Sequence, residues 1–142
     1  MRFNRTRSRA TFSHDLASLP VSPGQLGDFY GMNSQFVRAS VLLRLVRSLP
    51  LEAFVETGTH LGATALLVAF QTRLPVYTCE VNDQFFRKAR KNLWWFRKRV
   101  HLYRQSSPDF LRALTASGQV CRPFLYLDAH WGPHYPLLEE VQ

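Results

Sequence analysis

The sequence predicts an α/β fold built on an open parallel sheet with helices on its faces. Three observations carry that expectation. Short apolar segments of strand type alternate with helical segments, as repeated βαβ units require. Two glycines, Gly58 and Gly62, separate the first strand segment from the helix after it. Acidic or hydroxyl residues stand at the ends of all four strand segments: Glu56, Glu80, Ser106 with Ser107, and Asp128.

Residues 1–23 are polar and basic, with Arg2, Arg5, Arg7 and Arg9 followed by Pro20 and Pro23. This predicts a disordered basic lead-in rather than a targeting segment, because no apolar stretch follows to serve as a secretory signal. The domain is expected over 24–142. Between Asn33 and Ser48, Phe36, Val37, Val41 and Leu45 recur at helical spacing, with Leu42 and Val46 beside them. Asn33 or Ser34 can cap this helix, and Pro50 ends it.

The first strand is expected at Ala53–Glu56, and a helix runs from the glycines through Phe70. A second strand spans Pro75–Glu80. A long helix follows from about Asp83 to Arg99, capped by Asn82, with Phe85, Phe86, Ala89, Leu93 and Phe96 inward at spacings of three and four. Val100–Tyr103 reads as a third strand, Pro108–Leu114 as a short helix and Phe124–Asp128 as a fourth strand. A last helix begins at Leu137.

At 142 residues, with 46% hydrophobic and 20% charged residues, the chain has the size and composition of one globular domain. Its two cysteines, Cys79 and Cys121, form no disulfide framework and no metal-type spacing, which fits a cytoplasmic setting. The longest apolar run, Leu61 to Phe70, is far short of the roughly 20 residues that span a bilayer, so no membrane association is expected.

The formal charge of +8 rests on 15 Arg and 3 Lys. Clustered cations attract nucleic acid, anionic lipid or acidic small molecules, and charge alone does not choose among them. The basic segment 87–99 carries Trp94 and Trp95 between its cations, a pattern that suits nucleic acid as well as a solvated outer helix.

In an open parallel sheet ligands bind beyond the carboxyl ends of the strands. The candidate residues fall there. Gly58 and Gly62 remove side chains where the backbone turns and lies close to a ligand. A dinucleotide site would favour GxGxxG, whereas the spacing here is GxxxG with His60 inside it, so a cofactor without a phosphate is the better match. Glu80, 22 residues after Gly58, can accept hydrogen bonds from ribose hydroxyls. His60 is expected to make local hydrogen bonds.

Glu56-Thr57-Gly58-Thr59 with Gly62, then Glu80, then Asp128-Ala129-His130-Trp131, resembles the Rossmann-like class I S-adenosylmethionine (SAM)-dependent methyltransferases, especially their small-molecule O-methyltransferase branch. The resemblance covers about Phe54 to Val141. It implies SAM as cofactor, with Glu56 and Gly58 around the methionine part, Thr59 and Gly62 in the same cofactor-binding turn, and Glu80 on the ribose. Ser106 and Ser107 would stand near the adenine.

Asp128 would face the transferred methyl or a divalent metal, although one carboxylate is too few for a metal cage. His130 or His134 would act as general base toward an acceptor hydroxyl. Trp131 and Tyr135 would wall the pocket or pack the core. The acceptor implied is a small molecule or glycan precursor.

The family fold has about seven strands, and four are legible here. The sequence therefore predicts the N-terminal part of that fold with its C-terminal strands missing. A free sheet edge would make the chain marginally stable or self-associating.

Overall fold

The computed structural model describes residues 36–130 and 136–141. The expected lead-in over 1–23, the caps Asn33 and Ser34, and Trp131, His134 and Tyr135 lie outside the described residues. The elements in chain order are α1 (Phe36–Ser48), β1 (Ala53–Thr57), α2 (Ala63–Gln71), β2 (Val76–Cys79), α3 (Asp83–Asn92), a 3-10 turn (Trp94–Phe96), β3 (Val100–Tyr103), α4 (Ser107–Ser117), β4 (Pro123–Leu127) and α5 (Leu137–Glu140).

All strand pairs are parallel, in the order β3-β2-β1-β4. The chain steps outward from β1 to β2 to β3 and then returns to place β4 on the other side of β1. Strand order thus reverses at β1, the switch point where open parallel sheets bind ligands.

That reversal also sorts the helices. Right-handed crossovers put the β1–β2 and β2–β3 connections on one face and the β3–β4 connection on the other. Leu42 and Val46 of α1, Val68 of α2 and Ala89 of α3 bury Phe54 and Val76 on one face. Phe110 of α4 covers Val55 and Cys79 on the opposite face. Stacked rings of Phe54, Phe124 and Tyr126 fill the first core beneath α1.

One expectation needs correction, and the structure settles a face of α1 that periodicity left open. In α1 the apolar stripe splits: Leu42 and Val46 are buried, whereas Val37, Val41 and Leu45 are exposed. Apolar residues occupy two adjacent stripes of this helix, and periodicity cannot say which one meets the sheet. The basic helix is also shorter than expected, ending at Asn92 before the 3-10 turn. The Asn92 amide donates to the Leu61 carbonyl at 2.9 Å, and Leu93 is buried against Gly62. The chain must then turn back to start β3.

Asn82 does cap α3, its side-chain oxygen accepting from the N–H groups of Gln84 (2.9 Å) and Phe85 (3.2 Å). Among the described residues no helix is long and apolar enough to cross a membrane.

Candidate functional site

The turn after β1 alternates left-handed and ordinary backbone, with positive φ at Gly58 (79°), His60 (51°) and Gly62 (85°). The Cys79 carbonyl fixes its start by accepting from the N–H groups of Gly58 (3.1 Å) and Thr59 (2.9 Å). The His60 N–H donates to the Glu80 carboxylate at 2.7 Å, and the His60 ring sits edge-on to Phe85. His60 therefore serves local structure through its backbone.

The glycines work differently from the expectation that both clear room for a ligand. A Cβ on Gly58 would lie 2.9 Å from the Ala129 Cα and 2.9 Å from the Asp128 carbonyl oxygen. Its bareness lets the segment after β4 cross the turn after β1. A Cβ on Gly62 would lie 3.0 Å from the Leu93 side chain, so that glycine serves helix packing.

Glu56 is only 2% exposed. Its carboxyl accepts a 2.7 Å hydrogen bond from the Thr78 hydroxyl, which itself lies 2.6 Å from the Thr59 hydroxyl. Burial is the main cause that pushes the Glu56 carboxyl up to about 8, against the partly offsetting Thr78 hydroxyl and with Asp128 adding to the rise. A buried carboxyl with too few donors holds its proton at neutral pH.

Glu80, also 2% exposed, accepts from the His60 N–H on one oxygen and from the Asn82 N–H (2.8 Å) on the other. A carboxylate offers about four acceptor positions, so two remain for hydroxyl donors.

A cleft of about 360 Å³ opens at the carboxyl ends of all four strands. It brings together Gly58, Glu80, Ser106 and Ser107, four of the residues expected from the sequence. Glu56, Thr59 and Gly62 do not line it: the first two lie behind the wall in the Thr59–Thr78–Glu56 chain of hydroxyl and carboxyl groups. The reason is strand alternation, which turns Glu56 onto the sheet face beside Thr78.

Asp128 and His130 flank the cleft rather than line it, with Ala129 between them on its wall. Thr57 pins this segment, its hydroxyl oxygen accepting from the N–H groups of Asp128 (3.2 Å) and Ala129 (3.4 Å). The Asp128 side chain faces Arg38 of α1 at 3.8 Å, and that guanidinium also lies over the Tyr126 ring. His130 Nδ1 is 3.0 Å from the Asp128 carbonyl oxygen.

Gln105, Asp109 and Arg112 also line the cleft and were not expected from the sequence. The spacing Ser106-x-x-Asp109 is a helix-start signal that could have found them. Ser106 caps α4, its hydroxyl oxygen accepting from the Asp109 N–H at 3.4 Å while its proton is donated to the Asp109 carboxylate at 2.6 Å. That bond, reinforced by Arg112, holds the Asp109 carboxyl below its ordinary range. Among the described residues no three His, Cys, Asp or Glu side chains gather as a metal site.

No family model and no curated protein sequence matches the chain. Solved structures do match its fold. An O-methyltransferase from Bacillus cereus, solved with SAH, has a TM-score of 0.58 at 20% identity, over 80% of this chain and 57% of that one. An SAH-bound methyltransferase from Podospora anserina has a TM-score of 0.55 at 20% identity, over 65% of this chain and 40% of that one. A SAM-dependent methyltransferase from Agrobacterium tumefaciens has a TM-score of 0.55 at 14% identity, over 68% and 32%. The chain thus spans about a third to somewhat over half of these proteins. Its four-stranded parallel sheet with flanking helices has the Rossmann-like fold of the class I SAM-dependent methyltransferases.

Proposed function

We propose that the chain binds S-adenosylmethionine in the cleft and forms the cofactor-holding part of a methyltransferase. The acceptor in this reading is oxygen on a small molecule or glycan precursor. One observation carries it: the nearly enclosed Glu80 carboxylate forms part of the cleft wall beside the Gly58 turn, with two acceptor positions left for a ribose diol. The cleft volume lies within the range of small-molecule sites, about 300–1,000 Å³. Two of the structures of similar fold hold SAH, which supports the same cofactor here. The nucleic-acid alternative draws no support from these neighbours.

The cofactor supplies an electrophilic methyl on its sulfonium. Held in the cleft, it would donate that methyl to an acceptor oxygen, whose proton a base of the chain would take up. The protein's part is to hold the two reactants in line and exclude water. In this reading Gly58 lies against the methionine part and Glu80 holds the ribose. Ser106 and Ser107 stand beside it on α4. Asp128 and His130 flank the cleft at the end of β4, and we assign His130 the role of general base.

Calorimetric titration with SAM tests the reading. Wild type is expected to bind, and Glu80→Ala to lose roughly 10- to 100-fold in affinity, the worth of hydrogen bonds to a charged group. Gly58→Val should bind weakly because its side chain would displace the Ala129 segment. Equal affinity in all three folded proteins refutes the cofactor assignment.

A further inference from the structure

The exposed side chains of residues 90–98 form a surface that neither the cleft nor the core uses. The 3-10 turn packs Phe96 against the core and leaves two indole rings outward. Trp94 is 56% exposed and Trp95 is 73% exposed, unusual for a residue that is mostly buried on average.

Around these rings Arg90, Lys91, Arg97 and Lys98 are exposed, and among the described residues no carboxylate pairs with any of them. The cause is compositional, since no Asp or Glu occurs between Asp83 and Asp109. Other cations of this stretch are committed elsewhere. Arg87 and Arg104 pair with Asp83, and Arg99 donates to the Ala69 and Thr72 carbonyls. Among the described residues the four around the tryptophans thus present a charge with no acidic counterpart.

The location separates this face from the cleft. The Arg99 carbonyl accepts from the Val76 N–H, so the turn leads into the N-terminal ends of β2 and β3. The cleft lies at the opposite, carboxyl ends. A surface engaged here leaves the cleft open to water.

We infer that this face docks on an anionic lipid bilayer, with Trp94 and Trp95 entering the interfacial layer and Arg90, Lys91, Arg97 and Lys98 meeting the headgroups. Indole rings favour the membrane–water interface because one end is apolar and the other polar. Each cation near an anionic surface adds about fivefold to binding. Single-stranded nucleic acid is the weaker fit. It stacks successive bases on open ring faces, whereas the Arg97 guanidinium covers a face of Trp94 at 4.3 Å and leaves Trp95 as the more open of the two rings. The expectation of no membrane association rested on the lack of a spanning segment, which peripheral docking does not require.

Co-sedimentation with phosphatidylcholine vesicles containing about 30% phosphatidylserine, at about 0.1 M salt, tests this. Wild type should bind these vesicles and not pure phosphatidylcholine. Trp94→Ser with Trp95→Ser should lose at least about tenfold. Lys91→Glu with Lys98→Glu, which leaves every core side chain in place, should lose at least roughly 25-fold. Circular dichroism confirms that each variant is folded. Failure of wild type to bind anionic vesicles overturns the inference, as does undiminished binding by both variants. Retention of a single-stranded oligonucleotide through Trp95, without vesicle binding, overturns it in favour of nucleic acid.

Discussion

Replacing Glu56 with glutamine removes an ionisable group while keeping an oxygen for the Thr78 hydroxyl. Burial raises the Glu56 carboxyl from 4.5 to about 8. Below about pH 4.5 the folded and unfolded chains both hold this proton. Between about 4.5 and 8 only the folded chain holds it, so this group's contribution to stability falls as pH rises across that window and levels off above it. At about 1.4 kcal/mol per pKa interval the full span is about 5 kcal/mol. This is an upper bound, because local opening and water entry soften the cost of ionising a buried group.

The assay is urea unfolding of wild type and Glu56→Gln from about pH 5 to about pH 9. The variant can carry a constant offset from imperfect amide packing, and that offset does not enter the comparison. What matters is the difference in slope. Stability of the variant relative to wild type should climb by about 2–4 kcal/mol between about pH 5 and about pH 8. Parallel pH profiles would refute the assignment of a protonated, enclosed Glu56.

Other substitutions test the turn and the switch point. Thr57→Val keeps the volume of a fully buried side chain but deletes the oxygen that accepts from Asp128 and Ala129. Urea unfolding should show a loss of about 1–2 kcal/mol, and SAM affinity should fall because Ala129 lines the cleft. Unchanged stability would mean that the Asp128 bond to the Thr57 carbonyl suffices. Gly62→Ala should cost about 1–2 kcal/mol, read as a lower Tm, because φ is 85° there; an unchanged Tm removes the need for glycine. Burial pushes the Cys79 thiol up to about 12, while Cys121 is exposed. One thiol should react with a chromogenic disulfide in the native protein at about pH 8 and the second only in denaturant; two rapid equivalents in the native state would contradict this.

The strands were legible because each is a short β-branched or aromatic run bounded by proline, glycine or polar residues, as Val76–Cys79 is between Pro75 and Glu80. The end of α3 was not. Phe85, Ala89, Leu93 and Phe96 keep helical spacing across the junction with the 3-10 turn, and the buried Leu93 against Gly62 is a tertiary contact 31 positions away. Glu80, Gly58 and the two serines could be placed at the cleft because strand ends converge there whatever the details. The enclosure of Glu56 could not, since its partner Thr78 is set by the register of β1 on β2. Likewise, only the crossing of the segment after β4 shows why Gly58 must lack a side chain.

The two sides of the cleft are held in different ways, and that difference bears on the proposed function. On the Glu80 side, Gly58, Thr59, His60, Glu80 and Asn82 are tied by hydrogen bonds from backbone N–H groups into the central strands. Little can shift there without breaking the sheet. On the Asp128 side the backbone is pinned by Thr57, but the charged partner of its side chain is Arg38, carried by α1. That helix enters the core through Leu42 and Val46 while its other apolar stripe is exposed. A shift of α1 would move Arg38 relative to Asp128 and leave Glu80 and the Gly58 turn in place. Substitution of Arg38 should therefore alter what approaches the end of β4 more than it alters SAM binding.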